Sequence, residues 1–359
     1  MEQNLVGILM NAAVHRGIPH GATGQESLHN YEEAAAAFGL VPCYLKLADI
    51  DISSRTCRTY IRRRGGYRRE ELPLPAVIHN RAIYGPDSRG TEALAAAGSV
   101  VFNRNTRRGK DEIHRLLADV PPLRRHLPDT ETGLPGLRRL MLRCGDIILK
   151  PCRGSVGEGV MRLTRKGSGW VWTYRPAGSR RLSQIGFNEE RLPQRLAARL
   201  GAVPYLAQER IPLAEAEGSP FDLRVTVQKG WGGEWGVTGL FAKLAPPGSF
   251  ISNVAQGGSA LPSSRLLDRV FPGPLAAHLR MSAGALALEI ARALEPRLPG
   301  LADLGLDLGI DRNGQLFFIE CNGRDQRYGF LKAGLPEVWK ESYRRPMGYA
   351  RYLLEQRQP

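Results

Sequence analysis

Residues 305–322 read GLDLGIDRNGQLFFIECN, and this stretch decides the fold more than any other. Its two apolar runs flank the turn sequence DRNG, which predicts a β-hairpin in which Ile310 pairs with Gln315. Because side chains alternate along a strand, one face of this hairpin would carry three polar groups, namely Asp307, Glu320 and Asn322. The other face would be apolar and would carry Leu306, Leu308, Ile310, Phe317 and Ile319.

The polar face of this hairpin has the donors of a metal site. Two carboxylates and an amide oxygen suit a hard divalent cation such as Mg²⁺. The glycines at 305 and 309 flank Asp307 and would clear room beside its carboxylate. The alternative is an ordinary hairpin whose polar face is solvated.

A glycine-rich segment lies upstream, where residues 149–159 read LKPCRGSVGEG. We expect one strand to end at Lys150 and the next to begin at residue 160. Backbone N–H groups of the glycines could approach phosphate oxygens, and Lys150 could place its charge on the same phosphates. The lysine precedes the glycines and no GK[ST] follows, so the segment is not a Walker loop. An ordinary glycine-rich hairpin is the alternative.

The sequence QERIP at 208–212 ends another predicted strand. A hinge of this kind can present backbone groups and a carboxylate to a purine and its ribose. A surface strand end is the alternative.

The remaining chain mixes two kinds of pattern. Residues 4–102 alternate short apolar strands with helices, which is typical of an α/β layer with parallel strands. One of those helices would be capped by Ser27 and stopped by Gly39. The basic stretch RTCRTYIRRRGGYRR at 55–69 predicts a solvated loop, with a docking site for an anion as the alternative. The last third combines antiparallel strands with a helix near 281–294.

The charge balance favours anionic partners. The chain has 50 Lys+Arg against 35 Asp+Glu, a formal net charge of +15 and a pI near 10.0. Such a chain prefers nucleotides, phosphates, nucleic acid or acidic polymers. Only eight of the basic residues are lysines, which makes a lysine inside a glycine-rich motif more informative.

Other features exclude several classes. The five cysteines are irregularly spaced and form no CxxC, which argues against a disulfide framework and a zinc site. No apolar run reaches the roughly 18 residues of a membrane span, and the N-terminus lacks a signal-peptide pattern. We therefore expect a cytoplasmic protein without a membrane partner. Nucleic acid is not an expected partner either, because no RNP, zinc-finger or helix-turn-helix pattern occurs.

Taken together and in this order, the motifs resemble those of ATP-grasp enzymes. The chain is more closely similar to the YheC/YheD group of spore-coat-associated ATP-grasp proteins, over residues 4–350. The resemblance is carried by NRNTRRGKDEIHRLL at 103–117, HLPDT at 126–130, residues 148–159, FDLRV at 221–225 and NVAQGG at 253–258. It implies an N-terminal pre-ATP-grasp α/β domain (1–105) and two α+β subdomains (106–205 and 206–355) that clasp ATP between them.

The resemblance also implies roles for individual residues. The ATP phosphates would be bound by Lys110, Lys150 and a closing loop that includes Gly154, Ser155, Gly157 and Gly159. Adenine would face Gln208, Glu209 and Ile211, ribose would face Glu217, and the same cleft would be lined by Lys243 and Asn253. The catalytic residues would be Arg224, which stabilises the transferred phosphoryl group, and Lys150. Mg²⁺ would be held by Asp307, Glu320 and Asn322.

The reaction that the resemblance implies is ATP-dependent carboxylate–amine ligation through an acylphosphate, on an amino-acid or peptide-like substrate. Residues 324–332 and the N-terminal domain would face the acceptor, and their arginines would suit an acidic amino acid, a peptide carboxyl terminus or a phosphorylated group. Two alternatives stay open: an ATP-grasp kinase acting on a hydroxyl, and a non-catalytic protein of the spore coat. Spore-coat proteins are expected as partners on the resemblance alone.

Overall fold

A computed structural model describes residues 4–84, 89–104, 106–154, 157–179, 181–252, 254 and 257–357 of the chain. Within these residues the strands form three sheets, of seven, six and six strands. Each sheet is built from its own stretch of chain: residues 5–102, 130–209 and 215–322.

The first sheet belongs to an α/β layer. Its elements are β1 (Leu5–Leu9), α1 (Ala12–Gly17), α2 (Leu28–Ala36), β2 (Val41–Leu45), β3 (Ile50–Asp51), β4 (Thr56–Arg63), β5 (Gly66–Pro73), β6 (Val77–Asn80), α3 (Arg89–Ala96) and β7 (Val100–Phe102). The strand order is β3-β4-β2-β1-β6-β7 with β5 beside β4, and β2, β1, β6 and β7 run parallel. As expected, Ser27 caps α2 by accepting a hydrogen bond from the Asn30 amide at 3.2 Å.

The prediction of a solvated loop at residues 55–69 was wrong, because most of this segment forms the antiparallel hairpin β4–β5. Alternate side chains of β4 are buried, namely Cys57, Thr59 and Ile61. The residues between them include the exposed Arg58 and Arg62. This is the period-two pattern of a half-buried strand, and the density of arginines concealed it.

The second stretch builds an antiparallel sheet. Its elements are α4 (Lys110–Ala118), β8 (Thr130–Thr132), α5 (Gly133–Arg143), β9 (Asp146–Pro151), β10 (Met161–Lys166), β11 (Gly169–Tyr174), β12 (Ser183–Phe187), α6 (Gln194–Ala202) and β13 (Tyr205–Glu209). The strand order is β12-β11-β10-β9-β13-β8. Side chains of α5 and α6 pack with both tryptophans of β11 in one apolar core, and these are Leu140, Leu196, Trp170 and Trp172.

The third stretch builds the sheet that carries most of the charged motifs. Its elements are β14 (Glu215–Ala216), β15 (Ser219–Lys229), β16 (Trp235–Leu244), β17 (Ser259–Pro262), α7 (Ser263–Val270), α8 (Gly273–Leu294), β18 (Asp303–Ile310), β19 (Leu316–Asn322), α9 (Tyr328–Lys332) and α10 (Pro336–Glu355). The strand order is β17-β16-β15-β18-β19, and β14 pairs with β15. The apolar side of α8 covers the core face of this sheet.

The hairpin β18–β19 exists, but its predicted register was wrong. Ile310 pairs with Leu316 rather than Gln315, because the Asp311 carboxylate accepts hydrogen bonds from the amides of Asn313 and Gln315 and lengthens the turn. The register shifts again after Asp307, which pairs with Glu320 across a bulge. The buried side chains of β19 are consequently Leu316 and Phe318, not Phe317 and Ile319.

The chain returns to its first layer at the C-terminal end. Tyr343, Met347 and Ala350 of α10 pack in one apolar cluster with Val6 and Ile8 of β1. The division into residues 1–105, 106–205 and 206–355 stays a prediction. The elements cross its boundaries at β13, which belongs to the second sheet, and at α10, which covers the first.

Candidate active site

A cleft lies between the second and third sheets. One wall is formed by β9, the glycine-rich segment and the end of β13, and the other by β15, β16, β18 and β19. The cleft encloses about 980 Å³, including space that is open to solvent.

Lys150 projects into this cleft from the end of β9. Its Nζ donates a hydrogen bond to Gln208 Oε1 at 2.8 Å, and Gln208 Nε2 donates to Thr130 Oγ1 at 3.1 Å. Burial lowers the pKa of Lys150 to about 8, with the neighbouring Lys110 acting in the same direction and Glu320 opposing it. Lys150 is therefore a cation that a bound anion would favour and that alkaline pH would neutralise.

Lys110, the first residue of α4, links the two walls. Its Nζ lies 3.1 Å from Glu320 Oε1 on β19 and donates to the Gly154 carbonyl at 3.2 Å. The α4 N-terminus is anchored as well, since the Lys110 amide donates to the Cys152 carbonyl at 2.9 Å. The start of α4, the glycine-rich segment and the hairpin β18–β19 thus meet at one point.

A network of buried charges lies beside these lysines. Arg224 Nε is 2.6 Å from Asp307 Oδ1, and Lys243 Nζ is 3.0 Å from Asp307 Oδ2. Lys243 also pairs with Asp222 at 2.9 Å, and Arg224 pairs with Asp325 at 2.9 Å. All five side chains come from β15, β16, β18 and the segment after β19, so the register of the third sheet brings them together.

The network fixes the charge states of its members. Burial alone would raise the pKa of Asp307, but Arg224 and Lys243 lower it to about 2. Burial opposes the charge of Lys243 as well, and Asp222 and Asp307 raise its pKa. Burial raises the pKa of Asp222, with Lys243 opposing it. Asp307 is therefore an anion that is matched by two cations.

One part of the cleft is apolar. The side chains that line it include Ile148 of β9, Ile211 and Leu213 after β13, and Ile319 of β19. Gly309 makes their packing possible, because a Cβ there would lie 2.6 Å from Leu213 Cδ2 and 3.2 Å from Ile319 Cδ1. A flat aromatic group could be held in such a recess, in the same cleft as the carboxylates and lysines.

The donor set fits Mg²⁺ in part. Asp307 and Glu320 are directly paired across the hairpin and both line the cleft, so two carboxylates are available to one hard cation. Asn322 lies opposite Gly305 and is not among the residues that line the cleft. Among the described residues, no three His, Cys, Asp or Glu side chains cluster as metal ligands. A cation here would need further oxygen donors, which a bound phosphate carries.

The structure brings most of the sequence-predicted site residues together. The cleft is lined by Lys110, Lys150, Gly154, Gly157, Gln208, Glu209, Ile211, Lys243, Asp307 and Glu320. It is not lined by Gly159, Glu217, Arg224 or Asn322. Of these four residues, Arg224 is paired with Asp307, which does line the cleft. Ser155 and Asn253 lie outside the described residues. The roles assigned to all of these residues stay predictions.

Two of the predicted site residues that do not line the cleft have other surroundings. Glu217 is exposed in the turn before β15, has a φ of 54° and pairs with Arg269 of α7. Gly159 has a φ of 75°, and a Cβ there would lie 2.9 Å from Pro151 Cγ. Gly159 is thus needed for the shape of the glycine-rich segment rather than for a wall of the cleft.

Comparison with known proteins identifies the family of the chain. A family model described as "YheC/D like ATP-grasp" matches residues 98–353, which is more than half of the chain. The chain belongs to the YheC/D-like ATP-grasp family. It is 25% identical over 308 residues to the endospore coat-associated protein YheD of Bacillus subtilis (strain 168), covering 82% of this chain and only 66% of YheD. It is 21% identical over 325 residues to YheC of the same organism, covering 87% of this chain and 88% of YheC.

Solved structures show the same fold. The D-cycloserine synthetase DcsG superimposes with a TM-score of 0.56 at 14% identity, over 98% of this chain and 99% of that one. The ATP-grasp ligase PsnB, solved with its precursor peptide PsnA2 and AMPPNP, gives a TM-score of 0.54 at 15% identity, over 99% and 100%. The VanG D-Ala:D-Ser ligase of Enterococcus faecalis gives 0.52 at 11% identity, over 97% and 99%. This YheC/D-like chain therefore has the fold of ATP-grasp ligases.

Sequence reasoning missed several parts of this candidate site. Ile148 could have been found, because it lies two positions before Lys150 on the same strand face. Ile319 was hidden by the register error in β18–β19, and Asp325 carries no local motif. The glycines beside Asp307 were also misinterpreted, because Gly305 makes room for Asp325 and Gly309 for Leu213.

The segment after β19 differs from its expectation as well. Arg327 is buried and donates a hydrogen bond to Asp303 Oδ2 at 2.8 Å. Its guanidinium therefore does not face an acceptor substrate. Arg324 lies 3.0 Å from Glu26 of the first layer. Glu26 and Asp303 also bind Arg81, and these buried pairs join the first layer to the third sheet. No helix among the described residues is long and hydrophobic enough to span a bilayer.

Proposed function

We propose that the protein is an ATP-dependent carboxylate–amine ligase. The observation that carries the proposal is a single cleft in which Lys110, Lys150 and Lys243 face Asp307 and Glu320, next to an apolar recess. The lysines supply charge for a polyphosphate, the carboxylates supply charge for a divalent cation, and the recess suits a purine. Few ligands other than a nucleoside triphosphate need all three.

The nucleotide would lie along the cleft. Its base would occupy the recess beside Ile148, Ile211 and Ile319, where Gln208 and Glu209 supply polar groups. Its phosphates would replace the present partners of Lys110 and Lys150, which are Glu320 and Gln208. The glycine-rich segment could cover them with backbone N–H groups.

Mg²⁺ would be held by Asp307 and Glu320, with Asn322 as a predicted third donor. When bound, the ion would neutralise charge on the phosphates. Asp307 is held by Arg224 and Lys243, so a ligand that draws Asp307 away would leave both cations facing the phosphates. In this arrangement Arg224 and Lys243 stabilise negative charge on the transferred group.

The proposed reaction has two steps. A substrate carboxylate oxygen attacks the γ-phosphorus, the bond from that phosphorus to the bridging oxygen breaks, and ADP leaves. An amine then attacks the acyl carbon of the acylphosphate, inorganic phosphate leaves, and the amine loses a proton to solvent. The protein contributes position and charge neutralisation, and no side chain becomes covalently attached.

We propose that the substrates are amino acids or peptides. The support comes from the fold neighbours, since DcsG is a D-cycloserine synthetase, VanG is a D-Ala:D-Ser ligase and PsnB was solved with a precursor peptide. We also propose that the reaction takes place in the cytoplasm, where ATP is available. An association with the endospore coat is proposed from the names of YheD and YheC alone.

Calorimetric titration with ATP, with and without Mg²⁺, tests the nucleotide site. We expect Mg²⁺-dependent binding in the micromolar range, weakened on the order of 100-fold by Lys150→Ala because a charge-assisted contact is lost. Glu320→Gln should abolish most of the Mg²⁺ dependence. The matched controls are Lys166→Ala and Glu190→Gln, which change exposed residues outside the cleft and should leave binding unchanged.

Product analysis then tests the reaction. Amino acids and short peptides are screened in pairs for ADP release, and products are identified by mass spectrometry. An amide together with free phosphate supports the ligase, whereas a phosphoester would establish the kinase alternative. Absence of ATP binding at millimolar concentration would contradict both and favour a structural protein.

A further inference from the structure

The hairpin β4–β5 carries a concentration of positive charge that the proposed reaction does not use. Residues 55–73 contain seven arginines and two glutamates. The hairpin extends from the edge of the first sheet, since β4 contacts β2 and β3 only at a few positions and pairs with β5 along its whole length. None of its residues lines the nucleotide cleft.

Only some of these arginines have partners. Arg63 pairs with Glu70 at 2.6 Å, and Arg69 pairs with Asp49 at 2.8 Å. Three others are exposed and make no ion pair within the described part of the chain, and these are Arg58, Arg64 and Arg68. The hairpin therefore presents unmatched positive charge to solvent on both sides of its turn.

The second observation is a strand edge that no described strand covers, although the helical turn Ile18–His20 passes close to β5. β5 pairs with β4 from Gly66 to Pro73, and no other described strand pairs with it. Apart from this ladder, no backbone hydrogen bond joins residues 66–73 to another described residue. Such an edge can pair with a further extended segment, unless charges keep partners away.

The arginines are arranged as an added strand would require. Arg68 lies opposite Ile61 on the core-facing side of the hairpin, and Arg58 lies opposite Glu71 on the other side. The remaining glutamate of β5, Glu70, is already paired with Arg63. Consecutive residues of a strand point to opposite faces, so a segment added to β5 would present its side chains alternately to both. Cations on both faces match an added segment with acidic side chains on both faces.

We propose that the β5 edge binds an acidic polypeptide segment in extended conformation, by strand addition. The backbone edge supplies hydrogen bonds, and the arginines supply charge complementarity. A single-stranded nucleic acid fits less well, because binding of unpaired bases commonly uses aromatic side chains as stacking platforms. The two tyrosines of the hairpin are only half-exposed, with Tyr60 packed on His15 and Tyr67 on Tyr44.

Fluorescence anisotropy with the full-length protein tests this surface without ATP. The probe is a labelled peptide of about ten residues in which pairs of glutamates alternate with pairs of threonines, so that a strand carries glutamates on both faces. A second peptide replaces glutamate by glutamine, and a third keeps the charge but carries two central prolines that remove strand hydrogen bonds. We expect micromolar binding of the first peptide alone, with at least about tenfold weaker binding of the other two.

Variants locate the binding. Arg58→Gln, Arg64→Gln and Arg68→Gln combined should weaken binding at least about tenfold. The combined Arg138→Gln, Arg195→Gln and Arg265→Gln control makes the same change of net charge at exposed helix positions and should alter binding less than about twofold.

Four results would overturn the proposal. Equal loss in the control variant would assign binding to net charge, and equal binding of the proline peptide would exclude strand addition. Tighter binding of a single-stranded oligonucleotide at the same site would identify a nucleic-acid partner. The fourth result combines two measurements: the wild-type protein binds no peptide, and the triple arginine variant of the hairpin self-associates in sedimentation. It would show that the arginines only prevent the β5 edge from pairing with another copy of the chain.

Discussion

The two charged hairpins of this protein, β18–β19 and β4–β5, use charge in opposite ways. In β18–β19 the carboxylates of Asp307 and Glu320 lie against lysines and an arginine, and Asp307 is only 8% exposed. In β4–β5 the arginines stand in solvent, and even the paired Arg63 is 40% exposed. Burial makes each charge of the first hairpin depend on its partner, whereas the charges of the second act independently and over distance.

The largest expected difference between the hairpins is in stability. Arg224→Ala leaves Asp307 and Asp325 buried with one cation fewer, so the free energy of unfolding should fall by about 3–5 kcal/mol. Arg63→Ala breaks the exposed pair with Glu70 and should change the free energy of unfolding by less than the error of the measurement. Urea unfolding followed by circular dichroism measures both. Equal losses in the two variants would mean that burial does not distinguish these hairpins.

Prediction from sequence succeeded where one local pattern was sufficient. The strand that carries Lys150, the Ser27 cap and the existence of β18–β19 each follow from a few adjacent residues. The failures required information from distant residues. The register of β18–β19 depends on how the Asp311 side chain binds the turn, and β4–β5 was concealed because arginine is common on both loops and exposed strand faces.

The residues of the candidate site also differ in how well sequence predicts them. Lys110, Lys150 and Glu320 lie in motifs and meet in the cleft. Arg224 is in a motif too, but its link to Asp325 depends on the register between β15 and β18 and on the path of the chain after β19. Sequence therefore identified groups that would touch a ligand better than the groups that hold them in place.

The next difference is in response to pH. Lys150, which faces the first hairpin, has a pKa lowered to about 8 by burial, and bound phosphates would favour its protonated form. ATP affinity should therefore be nearly constant below pH 7 and fall about tenfold between pH 7 and pH 9. Arginines do not titrate in this range, so peptide binding at β4–β5 should not change. Calorimetry and anisotropy at several pH values measure the two.

Lys150→Met provides the control for this titration. The variant should bind ATP weakly and with no pH dependence between pH 7 and pH 9, because the titrating group has been removed. If it keeps the wild-type slope, another group in the cleft is responsible, and the assignment to Lys150 is wrong.

The smallest expected effects separate two glycines, one in each hairpin. Gly309→Ala would bring a Cβ to 2.6 Å from Leu213 Cδ2, which forces the apolar recess to shift at a cost of about 1 kcal/mol. Gly65→Ala has a similar cost for another reason, since its φ of 87° is unfavourable for alanine while no atom lies within 4 Å of the added Cβ. Only Gly309→Ala should also weaken ATP binding, by a factor of about three to ten, because Leu213 and Ile319 line the recess. Urea unfolding measures the loss of stability in both variants, and ATP titration measures whether the recess has changed. Equal ATP affinities in the two variants would place the base of the nucleotide away from Leu213 and Ile319.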